Sequence, residues 1–417
     1  MYEYTHLIPA GVAVIFGLSY FFLAIGRVPG LRIDRAGIAV VGATTMIAAG
    51  ALNLREAAAA VDYETIILLF AMMIVAAYLR ISGFFAHATE FAARKLTGPR
   101  TLLAAVIAVS GVLSAFLVND VVCVALTPLA VELCRKLRRA PIPYLIGLAT
   151  ASNIGSAATI TGNPQNIIIG SLSSISYVRF SARLAPIALI GLALDFLVVA
   201  WVYRRALAAP PASEELEALE SPFVPHDDHA LLYKSVGVTI VAIALFFTSI
   251  PIALTALAAA AILMISRVKP EHVYRAVDWP LLVMFCGLFV IVRGFEIHVV
   301  RSWDIEHWRA LLNSPVVLVS MLSAALSNLV SNVPAVLLFK PLMEVMPNQE
   351  QAWLALSMSS TLAGNFTVLG SVANLIVVEN ARRAGAELSF VEYLKVGVPV
   401  TLLTLLVGVA WLAFTSY

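Results

Sequence analysis

Charged residues are scarce in this sequence, since Asp, Glu, Lys and Arg together make up 12% of its 417 residues. A soluble domain carries roughly 25% charged residues. Hydrophobic residues reach 61%, the mean hydropathy is +0.92, and most charges lie between long apolar runs. This composition excludes a soluble globular protein and predicts an all-α polytopic membrane protein.

Features of several other protein classes are also missing. The three cysteines, Cys123, Cys134 and Cys286, lie in apolar context without metal-ligand spacing, so we expect neither a disulfide framework nor a metal site. The net charge of +2 comes without a basic patch that interleaves with aromatics, so no nucleic-acid partner is expected. We predict no catalytic residues, no cofactor and no enzyme activity. A Gly-x-x-x-x-Gly-Lys-Ser/Thr motif is absent, so coupling to ATP would need an ATPase partner chain.

The start of the chain offers little sign of a cleaved leader. Residues 1–6 lack a basic segment, and no small-residue cleavage site follows. We therefore expect the first apolar run to be retained as a span.

The apolar runs form two series in the same order. The first series has spans at about 7–25, 36–52 and 64–82, an amphipathic stretch at 84–96, two arms at 101–118 and 119–134, an interrupted segment at 143–172 and a span at 182–203. The second has spans at about 231–249, 252–266 and 279–297, arms at 315–330 and 332–346, a broken segment at 351–381 and a span at 394–415. We predict a first repeat over 1–205, a cytoplasmic linker over 206–230 and a second repeat over 231–417.

One stretch, from Ser114 to Asn166, occurs twice with fixed offsets. Asn119 and Asn332 are 213 positions apart, and Gly162 and Gly370 are 208 positions apart. Apolar segments that Gly, Pro and Asn interrupt at matching positions of two halves are typical of a transporter whose binding site lies near the membrane midplane.

The two arms of each half meet without a polar loop. Asn119 and Asp120 are flanked only by Val118 and Val121, which favours a re-entrant hairpin, because irregular backbone at membrane depth is tolerated where protein or a water-filled cavity surrounds it. Two full spans joined by a tight turn remain the alternative. With hairpins, each half crosses the membrane five times, and an odd number inverts the second repeat. The predicted fold therefore has two inverted repeats, with about ten spans, two re-entrant hairpins and two broken helices.

The distribution of basic residues predicts the orientation. With these crossings, 20 of the 27 Lys and Arg residues fall on one face and 6 on the face of the N-terminus, while Lys340 lies inside an arm. Basic residues accumulate on the cytoplasmic side. We therefore predict a multi-pass protein of the inner (plasma) membrane with both termini outside.

Polar residues at the tips and breaks are the candidate substrate ligands. The broken segments offer half-helix ends with free N–H and C=O groups. The predicted substrate-binding residues are Asn119, Asp120, Ser156, Thr159, Thr161, Asn163, Gln165, Asn166, Ser331, Asn332, Asn365, Thr367, Ser371 and Asn374. The alternative is that they satisfy broken backbone, and Asn166 and Asn374 in particular could hold the breaks in shape.

Asp120 is the predicted proton carrier. It is the acid at a hairpin tip, and its counterpart in the second repeat is Val333. An ionised carboxylate is costly in hydrocarbon, which suits a group that takes up and releases a proton. A helix cap is the alternative role. Asp195, within the sixth apolar segment, is a second candidate proton carrier or a structural partner for a neighbouring helix.

Other residues carry weaker hypotheses. Lys340 could be a counter-charge or a snorkelling lysine, and Cys123 could contact a thiophilic ligand or only pack. Residues 226–229 could bind a metal or form a solvated linker. Glu132, Glu344 and Glu379 are expected at the interface.

Taken together, these motifs resemble the ion transporter superfamily. Within it, Val118-Asn-Asp120, Ser152-Asn-Ile-Gly155 and Gly162-Asn-Pro-Gln-Asn166 resemble the ArsB-type arsenite efflux permeases and the related plant silicon-efflux transporters. The resemblance implies a scaffold part, a moving transport part and proton-coupled export of small uncharged hydroxides. Sodium- or citrate-coupled relatives have a Ser-Asn-Thr sequence at the hairpin tip. The first tip of this chain, at Asn119 and Asp120, differs from that sequence, which argues against sodium coupling.

The residues themselves are compatible with such a substrate. Neither tip and neither break contains a positive side chain, whereas a neutral hydroxide such as arsenous or silicic acid needs paired donors and acceptors. Transport of an anion or dicarboxylate, or sodium/proton exchange, remains the alternative within the superfamily. A channel or a non-transporting membrane protein is the competing class, and the duplicated break argues against it.

The topology can be tested by labelling. We expect a cysteine at Ser416→Cys to react with an impermeant thiol reagent on intact cells and a cysteine at Ser213→Cys to be protected, because the basic-residue count places the C-terminus outside and the linker inside. Labelling of the linker cysteine alone would contradict this orientation.

Overall fold

The computed structural model describes residues 7–26, 28–95, 98–208, 229–300, 315–343 and 346–415. Across these ranges the chain is helical, and they contain no strand. Most of the predicted linker, the segment 226–228 and Glu344 lie outside the described residues, so the predictions for them stay predictions.

The described part of the first half contains eleven α-helices, numbered here in chain order. They are α1 (Leu7–Ile25), α2 (Arg35–Ala48), α3 (Leu54–Ala60), α4 (Tyr63–Ile81), α5 (Phe84–Lys95), α6 (Pro99–Phe116), α7 (Asn119–Lys136), α8 (Ile142–Ser156), α9 (Pro164–Ser173), α10 (Tyr177–Val202) and α11 (Arg204–Ala208). A short 3-10 turn, Ile160–Gly162, lies between α8 and α9.

The described part of the second half follows the same order. Its helices are α12 (His229–Phe246), α13 (Ile252–Met264), α14 (Pro270–Tyr274), α15 (Trp279–His298), α16 (Pro315–Val330), α17 (Asn332–Met343), α18 (Gln349–Ala363), α19 (Val372–Arg383) and α20 (Phe390–Phe414). A second 3-10 turn, Val368–Gly370, lies between α18 and α19.

Local signals explain where matching helices begin. Asp62 caps α4 and Asp278 caps α15, and each carboxylate accepts a hydrogen bond from a backbone N–H of the first turn. The sequence analysis did not predict the short helices α3, α11 and α14, because five to seven residues are too few for a periodic pattern. Helix α3 begins instead with a capping box between Asn53 and Glu56.

The helices form two groups that repeat the same packing. In the first group, here called the frame, α1–α4 pack with α12–α15, and α2 contacts α15 as α4 contacts α13. In the second group, the core bundle, α6–α10 pack with α16–α20, and α8 contacts α19 as α9 contacts α18. These contacts of one repeat therefore recur between the counterpart helices of the other.

The counterparts α10 and α20 run in opposite directions. Near the start of α10, Arg183 accepts a hydrogen bond through its carbonyl oxygen from the indole of Trp411, near the end of α20, at 3.1 Å. Beyond the end of α10, Tyr203 donates to Glu392 at the start of α20 at 2.8 Å. Equivalent helices of inverted repeats are antiparallel, so the predicted inversion is confirmed.

The hairpins turn back at the depth of the breaks. The first tip, between α6 and α7, meets the break of its own repeat, because Thr159 donates to the carbonyl of Ala115. Six described helices are long and apolar enough to cross a membrane, and α6 is among them although it ends at this tip. The predicted fold, with two hairpins and two broken helices, is confirmed.

Three polar contacts join the frame to the core bundle. Tyr20 donates to the carbonyl of Pro334 at 3.1 Å, and Ser171 donates to Asp62 at 2.6 Å. Glu296 on α15 lies 3.5 Å from the ammonium of Lys340 on α17. Lys340 therefore has an acidic partner on the frame.

The side chain of Glu296 is nearly buried, so its ion pairs contribute to the stability of the protein. Its side chain is 7% exposed and also pairs with Arg293 at 2.7 Å. Removing one member of a buried ion pair leaves the remaining charge without its partner.

Replacing Glu296 by Gln should destabilise the protein. We expect Glu296→Gln to lower the free energy of unfolding by about 2–3 kcal/mol, less than for a fully buried pair because both cations can still reach water. The measurement is the thermal midpoint in detergent. Glu379→Gln is the matched control, because Glu379 also pairs with two arginines but its side chain is 42% exposed, and it should change little. Equal thermal midpoints for the two variants would contradict the stabilising role of the Glu296 ion pairs.

Candidate substrate site at the helix breaks

The first break is closed by its own side chains. Asn163 caps α9 and accepts a hydrogen bond from the backbone N–H of Asn166 at 2.8 Å. The carboxamide of Asn166 donates to the carbonyls of Ser156 at 3.0 Å and Thr159 at 2.9 Å. These carbonyls have lost their helical partners, and unpaired backbone groups are costly when buried.

The second break uses the same device. Asn374 donates to the carbonyls of Gly364 at 2.8 Å and Thr367 at 3.1 Å, the positions that correspond to Ser156 and Thr159. Asn166 and Asn374 thus brace equivalent breaks, as one of the two readings of these residues predicted.

The first break also depends on close backbone approach. A Cβ atom at Gly162 would lie 2.2 Å from the carbonyl oxygen of Ser156, and a Cβ at Gly155 would lie 2.0 Å from that of Gly111. Neither separation is possible between real atoms, so only glycine permits this packing.

Asn153 connects the two repeats. Its oxygen accepts hydrogen bonds from the amide of Asn119 and the hydroxyl of Ser371, both at 3.0 Å. Its nitrogen donates to the side-chain oxygens of Asn365 at 2.8 Å and Asn374 at 3.0 Å. All four hydrogen-bonding positions of this buried carboxamide are occupied.

Thr361 occupies the position of Asn153 in the second repeat. Its hydroxyl accepts from Asn163 at 3.3 Å and from Gln165 at 3.2 Å. Ser357, one turn earlier on α18, donates to Asn166 at 2.7 Å. Each break is therefore held by the other repeat.

A cavity of about 390 Å³ lies where the tips, the breaks and the frame meet. Six of the predicted substrate ligands line it: Asn119, Asp120, Gln165, Ser331, Asn332 and Ser371. Both hairpin tips and the N-termini of both second half-helices therefore reach one space.

The remaining predicted ligands lie behind this lining, within the breaks. They are Ser156, Thr159, Thr161, Asn163, Asn166, Asn365, Thr367 and Asn374, and they do not line the cavity. Thr161, for example, shares a hydrogen bond with Tyr177 at 2.9 Å. Their partners are protein groups, so their direct contact with substrate stays a prediction.

Asp195 lies outside the cavity. It is fully buried on α10, and one carboxyl oxygen accepts a hydrogen bond from Thr150 at 2.8 Å. The backbone carbonyl of Thr150 in turn accepts from Asn365 at 3.0 Å. Asp195 is thus separated from the second break by one residue, Thr150.

The frame contributes charge to the cavity. Asp34, Arg35 and Asp278 line it together with Asp120. Asp34 and Asp278 are the N-caps of α2 and α15 and are exposed, whereas Asn119 and Asn332 at the tips are buried. The cavity therefore opens at the face where α15 begins, and its fixed groups comprise three acids and one arginine.

The two tip asparagines, which line the cavity, have side-chain oxygens without a partner in the described part of the chain. Asn119 is 4% exposed and Asn332 is 8% exposed, and the side-chain oxygen of each has no hydrogen-bond partner among the described residues. The hydroxyls of Ser114 and Ser327, another pair 213 positions apart, are also unpaired. Buried polar groups normally have partners, so a ligand or water is expected to supply them.

Several residues of this site were not predicted from the sequence. Asn153 and Thr361 differ by 208 positions, the offset of the breaks, so the repeat itself carried a signal for them. The lining by Asp34, Arg35 and Asp278 had no such signal, because it arises only when the frame packs against the core bundle.

Those weaker candidates that the structure describes are not in the cavity lining. The thiol of Cys123 lies 3.1 Å from the hydroxyl of Ser152 and is fully buried. Glu132 pairs with Lys136 and Glu379 with Arg382 and Arg383 near helix ends. The described residues contain no group of His, Cys, Asp and Glu that could hold a metal ion.

Comparisons with known proteins agree with this architecture. Residues 20–363 match the family CitMHS, citrate transporter. The silicon efflux transporter LSI3 of Oryza sativa subsp. japonica is 31% identical over 95% of this chain and 96% of its own length. The putative transporter arsB of Dictyostelium discoideum is 28% identical over 96% and 92%. These relatives confirm the resemblance inferred from the motifs.

A solved structure supports the fold. The chain is similar to the crystal structure of the Alcanivorax borkumensis YdaH transporter, with a TM-score of 0.58 and 17% identity over 98% of this chain and 97% of that one. At this identity the similarity concerns the architecture.

A substitution at the first break tests whether the site needs this backbone. We expect Gly162→Ala to reduce transport at least about tenfold, because the added methyl group forces the turn away from Ser156 and overpacking of this kind costs about 1–3 kcal/mol. The assay is substrate flux in vesicles at matched protein level. Gly237→Ala is the control, since a Cβ there meets nothing within 4 Å. Unchanged flux in Gly162→Ala would mean that the break does not shape the site.

Proposed function

The chain belongs to the citrate transporter family CitMHS, and from this we propose that it is a secondary active transporter that exports a small neutral metalloid hydroxide, arsenous or silicic acid, in exchange for protons. The observation that carries the proposal is the cavity, which joins both hairpin tips and both breaks and is lined by polar groups, three acids and one arginine.

The charge of the cavity favours a neutral substrate over a citrate anion. Asp34 and Asp278 stand at its exposed end, and Asp120 lies at the tip. An anion with several carboxylates would approach like charges, which disfavours its binding. A neutral hydroxide pays no such penalty and can use the unpaired side-chain oxygens of Asn119 and Asn332.

The names of two relatives also favour a neutral hydroxide as substrate. The rice relative is described as a silicon efflux transporter, and the slime-mould relative as a putative arsB transporter. Silicic and arsenous acids are small, neutral and rich in hydroxyl groups, so one kind of site can serve both.

The division into two helix groups supports alternating access. The cavity opens beside Asp278, at the start of α15, whereas Glu296 lies 18 residues further along the same helix, about 27 Å away at 1.5 Å per residue. The pair of Glu296 with Lys340 therefore closes the opposite face. Movement of the core bundle against the frame would break this contact and open that face.

Asp120 is the proposed proton carrier. It lines the cavity beside Asn119, and Val333 occupies its position in the second repeat. An ionised carboxylate is costly in a closed apolar site. The group would bind a proton from outside as substrate leaves and release it when the site faces the cytoplasm. Asp195 is the second candidate for this role.

Anion transport is the alternative, and Arg35 is the observation that favours it. Its side chain lines the cavity and could offset one substrate carboxylate. Flux measurements in everted vesicles with an imposed pH gradient distinguish hydroxide export from anion transport. Arsenous acid, silicic acid and citrate are tested as separate substrates. Proton-driven accumulation of the hydroxides supports the proposal, and accumulation of citrate alone would reject it.

A conservative variant tests the proton carrier. Asp120→Asn keeps shape and hydrogen bonding but cannot titrate, so we expect it to retain substrate binding and to lose the response of flux to the pH gradient. Asp278→Asn is the matched control, because Asn caps a helix as well as Asp does and the cavity loses a charge of the same sign. The control should keep its response to the gradient.

A variant Asp120→Asn that transports against a gradient as well as the unmodified protein would place the carrier elsewhere. Asp195→Asn is then the next variant to measure under the same conditions.

A further inference from the structure

Backbone carbonyl groups fix the direction of two carboxamides in the second break. The nitrogen of Asn374 donates to two backbone carbonyls of that break, at 2.8 and 3.1 Å. The nitrogen of Asn365 donates to the carbonyl of Thr150 at 3.0 Å. A carbonyl can only accept, so these amides cannot be turned over, and their oxygens must face Asn153.

The direction of Asn153 follows from this. Because two oxygens face it, at 2.8 and 3.0 Å, it must present its nitrogen to Asn365 and Asn374. Its oxygen then faces Asn119 and Ser371, which can meet it only as donors, each at 3.0 Å.

Asn119 and Ser371 therefore keep their side-chain oxygens as acceptors in fixed positions. One N–H of the Asn119 amide and the hydroxyl proton of Ser371 are committed to Asn153, which leaves the oxygen of Asn119 without a partner among the described residues. Both residues line the cavity. The orientation is thus transmitted from backbone carbonyls of both repeats, through Asn365, Asn374 and Asn153, to the first hairpin tip.

At the second tip, no equivalent residue among those described fixes the orientation of the amide. Thr361 stands where Asn153 stands in the first repeat, and its hydroxyl bonds to Asn163 and Gln165. Within the described ranges, the oxygen of Asn332 has no hydrogen-bond partner, and no neighbour requires one orientation of its amide. The second tip can therefore present either a donor or an acceptor.

We propose that Asn153 is a positioning residue that makes the first tip a fixed hydrogen-bond acceptor, so that the site selects substrates that present hydroxyl groups. This rests on the proposed function and gives its substrate class a structural cause. A carboxylate would place its oxygens against those of Asn119 and Ser371, whereas a hydroxide donates to both. Discrimination is strong where a buried polar group would be left unpaired by the wrong substrate.

Two variants of Asn153 separate positioning from a merely structural role. Asn153→Asp keeps oxygens for Asn119 and Ser371 and loses both bonds that the nitrogen makes. Asn153→Ala loses all four bonds and frees the amide of Asn119. A residue that only braced the breaks would be damaged equally by both changes, because the bonds to Asn365 and Asn374 are lost in each.

The experiment measures equilibrium binding of arsenous acid and silicic acid to the purified full-length protein, with citrate as a competitor. We expect Asn153→Ala to weaken hydroxide binding about tenfold, the effect of one well-placed hydrogen bond in a buried site. Asn153→Asp should stay within about threefold of the unmodified protein. Ser360→Ala is the control, because that hydroxyl bonds only to its own helix, at Ser357, and binding should not change.

A milder variant guards against loss of folding. Ser371→Ala removes one acceptor from the cavity and leaves the other three bonds of Asn153, so hydroxide binding should weaken about fivefold. Equal weakening in Asn153→Asp and Asn153→Ala, or unchanged binding in Ser371→Ala, overturns the inference.

The outcomes also distinguish this inference from the proposed function. Binding needs no gradient, so hydroxides that bind with the expected pattern but show no proton-driven flux would reject proton coupling and leave the role of Asn153 standing. Citrate that binds while neither hydroxide does would overturn both.

Discussion

The structure depends on one constraint, which is that backbone interrupted inside a bilayer must find its hydrogen bonds within the protein. Two helices are interrupted here, and each break is braced by an asparagine, Asn166 or Asn374, that donates to two freed carbonyls. Once the breaks are satisfied in this way, the N-termini of α9 and α19 can end at a cavity rather than in lipid. The hairpin tips can then reverse direction beside this polar cavity.

The two repeats agree where they hold the backbone and differ where they face the substrate. Asn166 and Asn374 make equivalent contacts, but Asp120 corresponds to Val333 and Asn153 to Thr361. A fully symmetric site would treat both faces of the membrane alike and could not assign a proton to one step. Asymmetry at these few positions would let a symmetric fold perform the proposed exchange of substrate for protons.

Much of the fold could be predicted from the sequence, because apolar runs and the repeat offsets are local signals. The first interrupted segment was expected at 143–172, and α8 ends at Ser156 while α9 begins at Pro164. The candidate site was predictable only in part. Sequence reasoning could find the polar residues of a break but not which of them turn to the cavity, since that depends on packing between repeats. Asn153 shows the difficulty, because its four partners lie 34 to 221 positions away.

Family membership and cavity chemistry describe different parts of the molecule. The family named for citrate transport shares this chain's architecture, which is set by helix packing and braced breaks. In the proposed function, selectivity is set by a small number of lining groups, among them the side-chain oxygen of Asn119 and the carboxylates of Asp34, Asp120 and Asp278. Oxygens that cannot donate disfavour carboxylates and accept hydroxyl groups. A change of substrate class within one family therefore requires no change in the fold, only in the direction of a few amides and the sign of a few charges.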